Sequence, residues 1–253
     1  MSSLWLAPVL FGTGFVAGFV DSIAGGGGLI TVPALLSLGL SPTDALGTNK
    51  LQSTFGSASA TWHYARAGVM DLRACRLGLI FTCVGALLGA LAVQLISKKF
   101  LELAIPVLLI VIAAYTILRP QFGEQDARPR MKPNSFALLF GLTLGFYDGF
   151  FGPGTGSFWA MACVLVLGQN LLAATGYTKA MNFASNLASL AVFIVGGKVH
   201  YGAGLVMGIG QLMGARLGSK TVLKRGVKFI RPVFIGIMLV LTAKLIYQNY
   251  FSR

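Results

Sequence analysis

Two stretches decide the fold: GFVDSIAGGGG at residues 18–28 and GFYDGFFGPGT at residues 145–155. They align at an offset of 127, which sets Asp21 on Asp148 and Gly25 on Gly152. Past a two-residue insertion the offset becomes 129. Lys50 then meets Lys179, Gly68 meets Gly197, Gly85 meets Gly214 and Gly89 meets Gly218. Like residues held at one spacing through most of each half mark an internal duplication.

Outward from these stretches, apolar segments run over 4–22, 29–40, 45–63, 75–97 and 100–118, then 135–151, 156–168, 173–195, 203–222 and 230–247. Each half therefore reads as one long segment, one short, and three long. Between them, RPQFGEQDARPRMKPN at 119–134 is polar, charged and proline-containing, the composition of a linker. The expected organisation is a first transmembrane repeat at 1–118, a linker at 119–134 and a second repeat at 135–253.

Composition supports a membrane setting. Of 253 residues, 55% are hydrophobic and 11% are charged, against about 25% charged in soluble domains. Mean hydropathy is +0.77. Too little polar side chain exists to cover a water-facing surface, which argues against a soluble enzyme, and the apolar content is too high for disorder. A bilayer core needs about 20 apolar residues per helix, so the length allows about eight to ten membrane segments. The fold class expected is an all-α polytopic membrane protein. The start, MSSLWLAPVL, lacks a basic region and reads as a retained helix.

The formal charge of +13 comes from 20 Lys and Arg against 7 Asp and Glu. The cations lie in short loops, the positive-inside pattern. No basic patch is interleaved with aromatics, so the partner implied is the lipid bilayer and not nucleic acid. In the first half the heavy loops are 64–76 (Arg66, Arg73, Arg76) and 119–134 (Arg119, Arg128, Arg130, Lys132), with Lys98 and Lys99 in the lighter loop between. In the second half the heavy loop, 219–231, matches the light loop of the first. An odd number of segments per repeat flips the bias in this way and predicts inverted-topology repeats, with both termini away from the cytoplasm.

The short segments, 29–40 and 156–168, are too short to span as helices. Each follows glycines: Gly25, Gly26, Gly27 and Gly28 in one half; Gly152, Gly154 and Gly156, with Pro153, in the other. Thr155 sits among the latter. Glycines let backbone turn sharply and approach a ligand closely. A half-helix beginning there offers unpaired N–H groups and a positive dipole end, a site for an anion. Against this stands tight helix packing as the glycines' whole purpose.

Lys50 lies in ALGTNKLQSTFGSASA and Lys179 in TGYTKAMNFASNLAS. A lysine deep in a membrane helix costs about 3 kcal/mol on insertion scales and marks a functional candidate; snorkelling from the helix end is the plainer alternative. Asn49 and Gln52 neighbour Lys50. Lys179, Asn182 and Asn186 share a helix face at i, i+3 and i+7. These amides suit a polar solute, or equally helix–helix hydrogen bonding. Asp21 and Asp148 precede the glycine turns. Each is open to a role as proton carrier, counter-charge to a lysine, or cap of the half-helix.

GALLGA at 85–90 and GARLGS at 214–219 are small-xxx-small packing motifs. The cysteines form no CxxC and read as packing sulfur. His63 and His200 have no second ligand at metal spacing. There is no P-loop, GxSxG or HExxH, so neither a cofactor, a metal nor enzymatic chemistry is expected.

FVDSIAGGGGLITVPALL, ALGTNKLQSTFGSASA, GFYDGFFGPGTGSFW and NFASNLASL with GQLMGARLG together resemble the TauE/SafE family, the sulfite exporter or sulfonate permease family, in its bacterial YfcA-like branch. The resemblance covers essentially the whole chain. It implies a multi-pass transporter of the bacterial cytoplasmic membrane, carrying small sulfur-containing anions such as sulfite, sulfoacetate or other organosulfonates. The expected function is alternating-access transport of such an anion. It would be held by the glycine-turn N–H groups, neutralised by Lys50 and Lys179, and oriented by Asn182, Asn186 and Gln52. An anion channel, or a membrane scaffold, is the competing expectation.

Overall fold

A computed structural model describes residues 3–118 and 127–226. Among these residues the regular structure is entirely helical. The order is α1 (Ser3–Ala24), α2 (Gly28–Ser37), α3 (Pro42–Arg66), α4 (Arg76–Gln94), α5 (Lys98–Leu118), α6 (Pro133–Phe150), α7 (Thr155–Leu165), α8 (Leu171–Val195) and α9 (Tyr201–Arg225). The segment expected at 230–247 and most of the linker, 119–126, lie outside the described residues. α6 starts at Pro133, because proline's fixed φ suits the first helical position after an extended Lys132. Just before it, Ala127 N–H and Arg130 N–H donate to the carbonyls of Gly168 and Val166 (2.7 and 2.8 Å), fastening this stretch to the α7–α8 loop.

Local signals recur at the offsets read from the sequence. Ser41 caps α3 by accepting from Asp44 N–H (3.3 Å), and Asn170 caps α8 by accepting from Ala173 N–H (2.9 Å). The two capped helices are each 25 residues long. The short elements, α2 and α7, have 10 and 11 residues, a rise of about 15 Å, which is half a bilayer core. The breaks before them use left-handed glycines: Gly25 (φ +76°) and Gly26 (+104°), then Gly152 (+89°) and Gly154 (+82°). A side chain is strongly disfavoured there.

Packing is reciprocal. α1 lies along α9, α4 along α6, and α3 faces α8. In the α4–α6 seam a Cβ on Gly85 or Gly89 would overlap backbone carbonyls of Leu142 or Phe146. In the α1–α9 seam Gly210 and Gly214 meet the carbonyls of Phe11 and Phe15 in the same way. The small-xxx-small motifs thus bring backbones into contact, the mode of association available where lipid removes the hydrophobic drive. α3 and α8 run antiparallel: Gly47 abuts Lys198 at one end and Gly176 abuts Val69 at the other. α3 and α9 run parallel, Leu51 against Gly204 and Phe55 against Gly208.

The distribution of polarity is that of a protein in hydrocarbon. Leu88, Leu91, Val107, Val111, Leu205 and Ile209 are exposed, while Asn49, Lys50, Gln52, Lys179, Asn182 and Gln211 are buried. Three helical stretches, Leu6–Ile23, Arg76–Gln94 and Leu171–Val195, are long and apolar enough to cross a bilayer by themselves. α3 is more polar, and Thr48, Asn49, Lys50, Gln52, Ser53 and Ser57 on it are buried against its neighbours.

Candidate substrate site

The two glycine breaks touch. A Cβ on Gly25 would stand 2.7 Å from Gly156 Cα, and one on Gly28 would stand 3.2 Å from Pro153 Cα. The first turns of α2 and α7 therefore start side by side at the centre of the molecule. Between them is a cavity of about 20 Å³, room for about one water. The first half lines it with Asp21, Gly26, Gly28, Asn49 and Ser53; the second with Asp148, Gly152, Gly154, Thr155, Gly156, Asn182 and Asn186.

Tyrosines fasten the flanking backbone. Tyr147 hydroxyl donates to Pro153 carbonyl (2.8 Å) inside one break, and Tyr64 hydroxyl donates to Ser22 carbonyl (2.9 Å) ahead of the other. Thr155 hydroxyl returns to Gly152 carbonyl (2.6 Å). The N–H of Gly156, in the first turn of α7, has no partner among the described residues. It is one of the donors a helix start leaves free.

Each lysine is paired across the halves. Lys50 Nζ donates to Asp148 Oδ1 (2.7 Å), to the Asp148 carbonyl (2.5 Å) and to Asn186 Oδ1 (3.3 Å). Lys179 Nζ donates to the Asp21 carbonyl and lies 3.3 Å from Asp21 Oδ2. The other oxygen, Asp21 Oδ1, accepts from Gly27 N–H (3.2 Å). Asp21 thus counters a lysine and also caps the turn. Two ammonium groups and two carboxylates cancel, so the surplus potential at the cavity comes from the positive ends of α2 and α7.

The amides divide into two kinds. Asn49 Oδ1 accepts from Thr31 Oγ1 (2.5 Å) and Gln52 Nε2 (2.7 Å), and Gln52 Nε2 also reaches Thr31 Oγ1 (3.1 Å). This triad ties α3 to α2. Asn186 bridges Lys50 and Ser57. Asn182 is buried and lines the cavity, yet its Oδ1 has no partner. A buried amide oxygen left unpaired is costly and therefore informative.

Of the residues picked from the sequence, Gly26, Gly28, Gly152, Gly154, Thr155, Gly156, Asn49, Asn182, Asn186, Asp21 and Asp148 line one cavity. Gly25 and Gly27 stand behind it as backbone contacts, Gly27 against the Asp21 side chain. Lys50 and Lys179 are set back behind their aspartates, and Gln52 turns away toward Thr31. Two residues lie outside the expected site. Ser53, which the sequence offers as a polar neighbour of Asn49 but favours as helix–helix glue, lines the cavity one turn beyond it. Thr31 is the hydroxyl of the otherwise apolar stretch LITVPALL, a signal that was open to reading.

A helical bundle with an apolar exterior, buried charge pairs and two broken helices meeting at its centre is a membrane protein of the broken-helix class. The chain belongs to the family described as Sulfite exporter TauE/SafE, whose model matches residues 10–245. It is 48% identical over 250 residues to a protein of Escherichia coli K12 named "Probable membrane transporter protein YfcA", covering 99% of this chain and 93% of that one. A "Probable membrane transporter protein" of Haemophilus influenzae is 45% identical over 244 residues, covering 96% of both. Bacillus subtilis YunE, named in the same words, is 24% identical over 269 residues, with 96% and 98% covered. No solved structure matches.

Proposed function

We propose that the protein is a secondary carrier that moves a small anion, a sulfur oxyanion or organosulfonate, across the bacterial cytoplasmic membrane by alternating access. The observation that carries this reading is the juncture of the α2 and α7 starts around a cavity lined by both halves and bracketed by Lys50–Asp148 and Lys179–Asp21. Positive helix ends, the N–H of Gly156 and the side-chain N–H groups of Asn182 favour an anion there, and the unpartnered Asn182 Oδ1 suits a hydroxyl or N–H that the anion itself carries. The sulfur class comes from the family's name and not from the geometry.

The halves are read as inverted repeats of five segments each. Antiparallel α3 and α8 support this, as does the reciprocal packing of α1 on α9 and α4 on α6. With α3 parallel to α9, Arg66 and Lys220 come to the same face, which agrees with the loop charges that assign that face to the cytoplasm. A cavity for about one water is an occluded state, and a polyatomic anion enters only when one half rocks against the other. Inside, the anion competes with Asp148 and Asp21 for the ammonium groups. The pairs satisfy the lysines when the site is empty and release them as it fills.

Counterflow in proteoliposomes tests this, using sulfite, sulfate, thiosulfate, sulfoacetate, taurine and acetate inside and out. A carrier shows saturable exchange accelerated by the same anion on the far side. Linear flux, indifferent to the far side, would make it a channel; no flux of any of them would leave a scaffold.

A further inference from the structure

A second site lies at the molecule's edge, between the last turns of α3 and the C-terminal half of α9. It is a groove of about 640 Å³, walled by Trp62, His63 and Arg66 on α3 and by Leu212, Arg216 and Lys220 on α9. Its floor is pinned by Ser59 hydroxyl donating to Leu212 carbonyl (3.2 Å). His63 Nδ1 is held by the Ser59 carbonyl (2.7 Å), which leaves the other ring nitrogen unengaged by it.

Three cations converge here without a carboxylate. The ion pairs among the described residues are the two central ones, and Arg66, Arg216 and Lys220 are in neither. All three are exposed, so water and salt screen their mutual repulsion, and they offer one anion three cationic partners. Trp62, 65% exposed, stands one turn before Arg66, the aromatic-and-basic pairing of a membrane–water interface. On α9, Leu205, Ile209 and Leu212 lead at helical spacing to Arg216 and Lys220, and the first three are exposed. One helix face thus passes from an apolar stripe to a basic head. A soluble anion matches only the head. An amphiphile with an anionic head and a hydrocarbon tail matches both.

We propose that this groove binds an anionic phospholipid, its phosphate between Arg66, Arg216 and Lys220 and an acyl chain along Leu212, Ile209 and Leu205. Trp62 packs at the glycerol level. Basic pockets between membrane helices recognise anionic headgroups on this principle. Such a lipid would tie α3 of one half to α9 of the other at the cytoplasmic face.

The test uses the full chain in neutral detergent, with native mass spectrometry reading lipid bound. The probes are dioleoylphosphatidylglycerol, dioleoylphosphatidylcholine and inorganic phosphate with glycerol 3-phosphate. Phosphatidylglycerol should bind at least about tenfold more tightly than phosphatidylcholine, and the soluble phosphates should not displace it at equal concentration. Arg66→Gln/Arg216→Gln/Lys220→Gln should weaken phosphatidylglycerol by about tenfold or more, while Lys98→Gln/Lys99→Gln leaves it unchanged. Equal binding of both lipids, equal loss in both variants, or displacement by soluble phosphate overturns the proposal. Should the triple variant melt early without lipid, brominated phosphatidylglycerol decides on the unaltered groove. It must quench more strongly than brominated phosphatidylcholine does, and Trp62→Phe must remove that excess; an excess left unchanged by Trp62→Phe, with Trp5 and Trp159 still emitting, overturns the proposal.

Discussion

Lys50 on α3 places its ammonium 2.7 Å from Asp148 Oδ1 on α6, so the lysine of one half is neutralised by the carboxylate of the other. The equivalents 129 and 127 residues away repeat the exchange, Lys179 with Asp21. Neither half can satisfy its own buried lysine by this arrangement. The pairs therefore bind the halves together at the same depth as the cavity they flank.

Removing one member of a buried pair leaves a charge uncompensated, at about 3–5 kcal/mol. Lys50→Met should lower the melting temperature in detergent strongly, and adding Asp148→Asn should restore most of the loss. Lys179→Met should cost less, because its partner is farther away (3.3 Å) and 14% exposed. Equal losses for the two lysines, or no rescue by Asp148→Asn, would contradict the pairing.

The asparagines should separate by role. Asn49→Ala strands the Thr31 hydroxyl and Gln52 amide and should cost about 1–3 kcal/mol of stability. Asn182→Ala removes an oxygen that already lacks a partner. It should leave thermal stability near that of the parent while abolishing saturable anion flux. Thermal unfolding and proteoliposome flux measured on both variants check the contrast.

The breaks should tolerate nothing larger than glycine where they cross. Gly25→Val meets both a left-handed backbone and the Gly156 backbone and should prevent folding. Gly39→Ala has a similar φ of +82° but open space, so only about 1–3 kcal/mol of backbone strain applies. Yield of monodisperse protein distinguishes the two.

Helix seams make a third class. Gly89→Leu drives a side chain into the Phe146 carbonyl and should separate α4 from α6. Gly12→Leu, with nothing nearby, should be silent. Size-exclusion profiles and melting temperatures read the difference.

Much of this architecture is legible in the sequence because it rests on local rules. Asp-then-glycine stretches at one offset announce two breaks, a segment of ten or so apolar residues announces a half-helix, and Ser41 and Asn170 announce the starts of α3 and α8. The lining of the cavity follows less completely. Asn49, Ser53 and Ser57 recur every four residues, as do Asn182 and Asn186, but proximity to Lys50 drew Gln52 into the set although helix rotation turns it toward Thr31. That Lys50 meets Asp148 and not Asp21 depends on how the halves interleave, which is a tertiary fact. The groove between Arg66 and Lys220 was equally hidden: 154 residues separate its walls, and only the parallel packing of α3 and α9 joins them.

The central claim is a single anion site built where the two half-helix starts meet, and thermal stabilisation by ligand tests it most directly. Purified protein is melted with sulfite, sulfate, thiosulfate, sulfoacetate, taurine or acetate at millimolar concentration, beside Asn182→Ala. At least one sulfur-containing anion should raise the melting temperature of the parent with saturation, and Asn182→Ala should lose that rise. A parent unmoved by every anion, or a variant that responds as the parent does, would contradict the account.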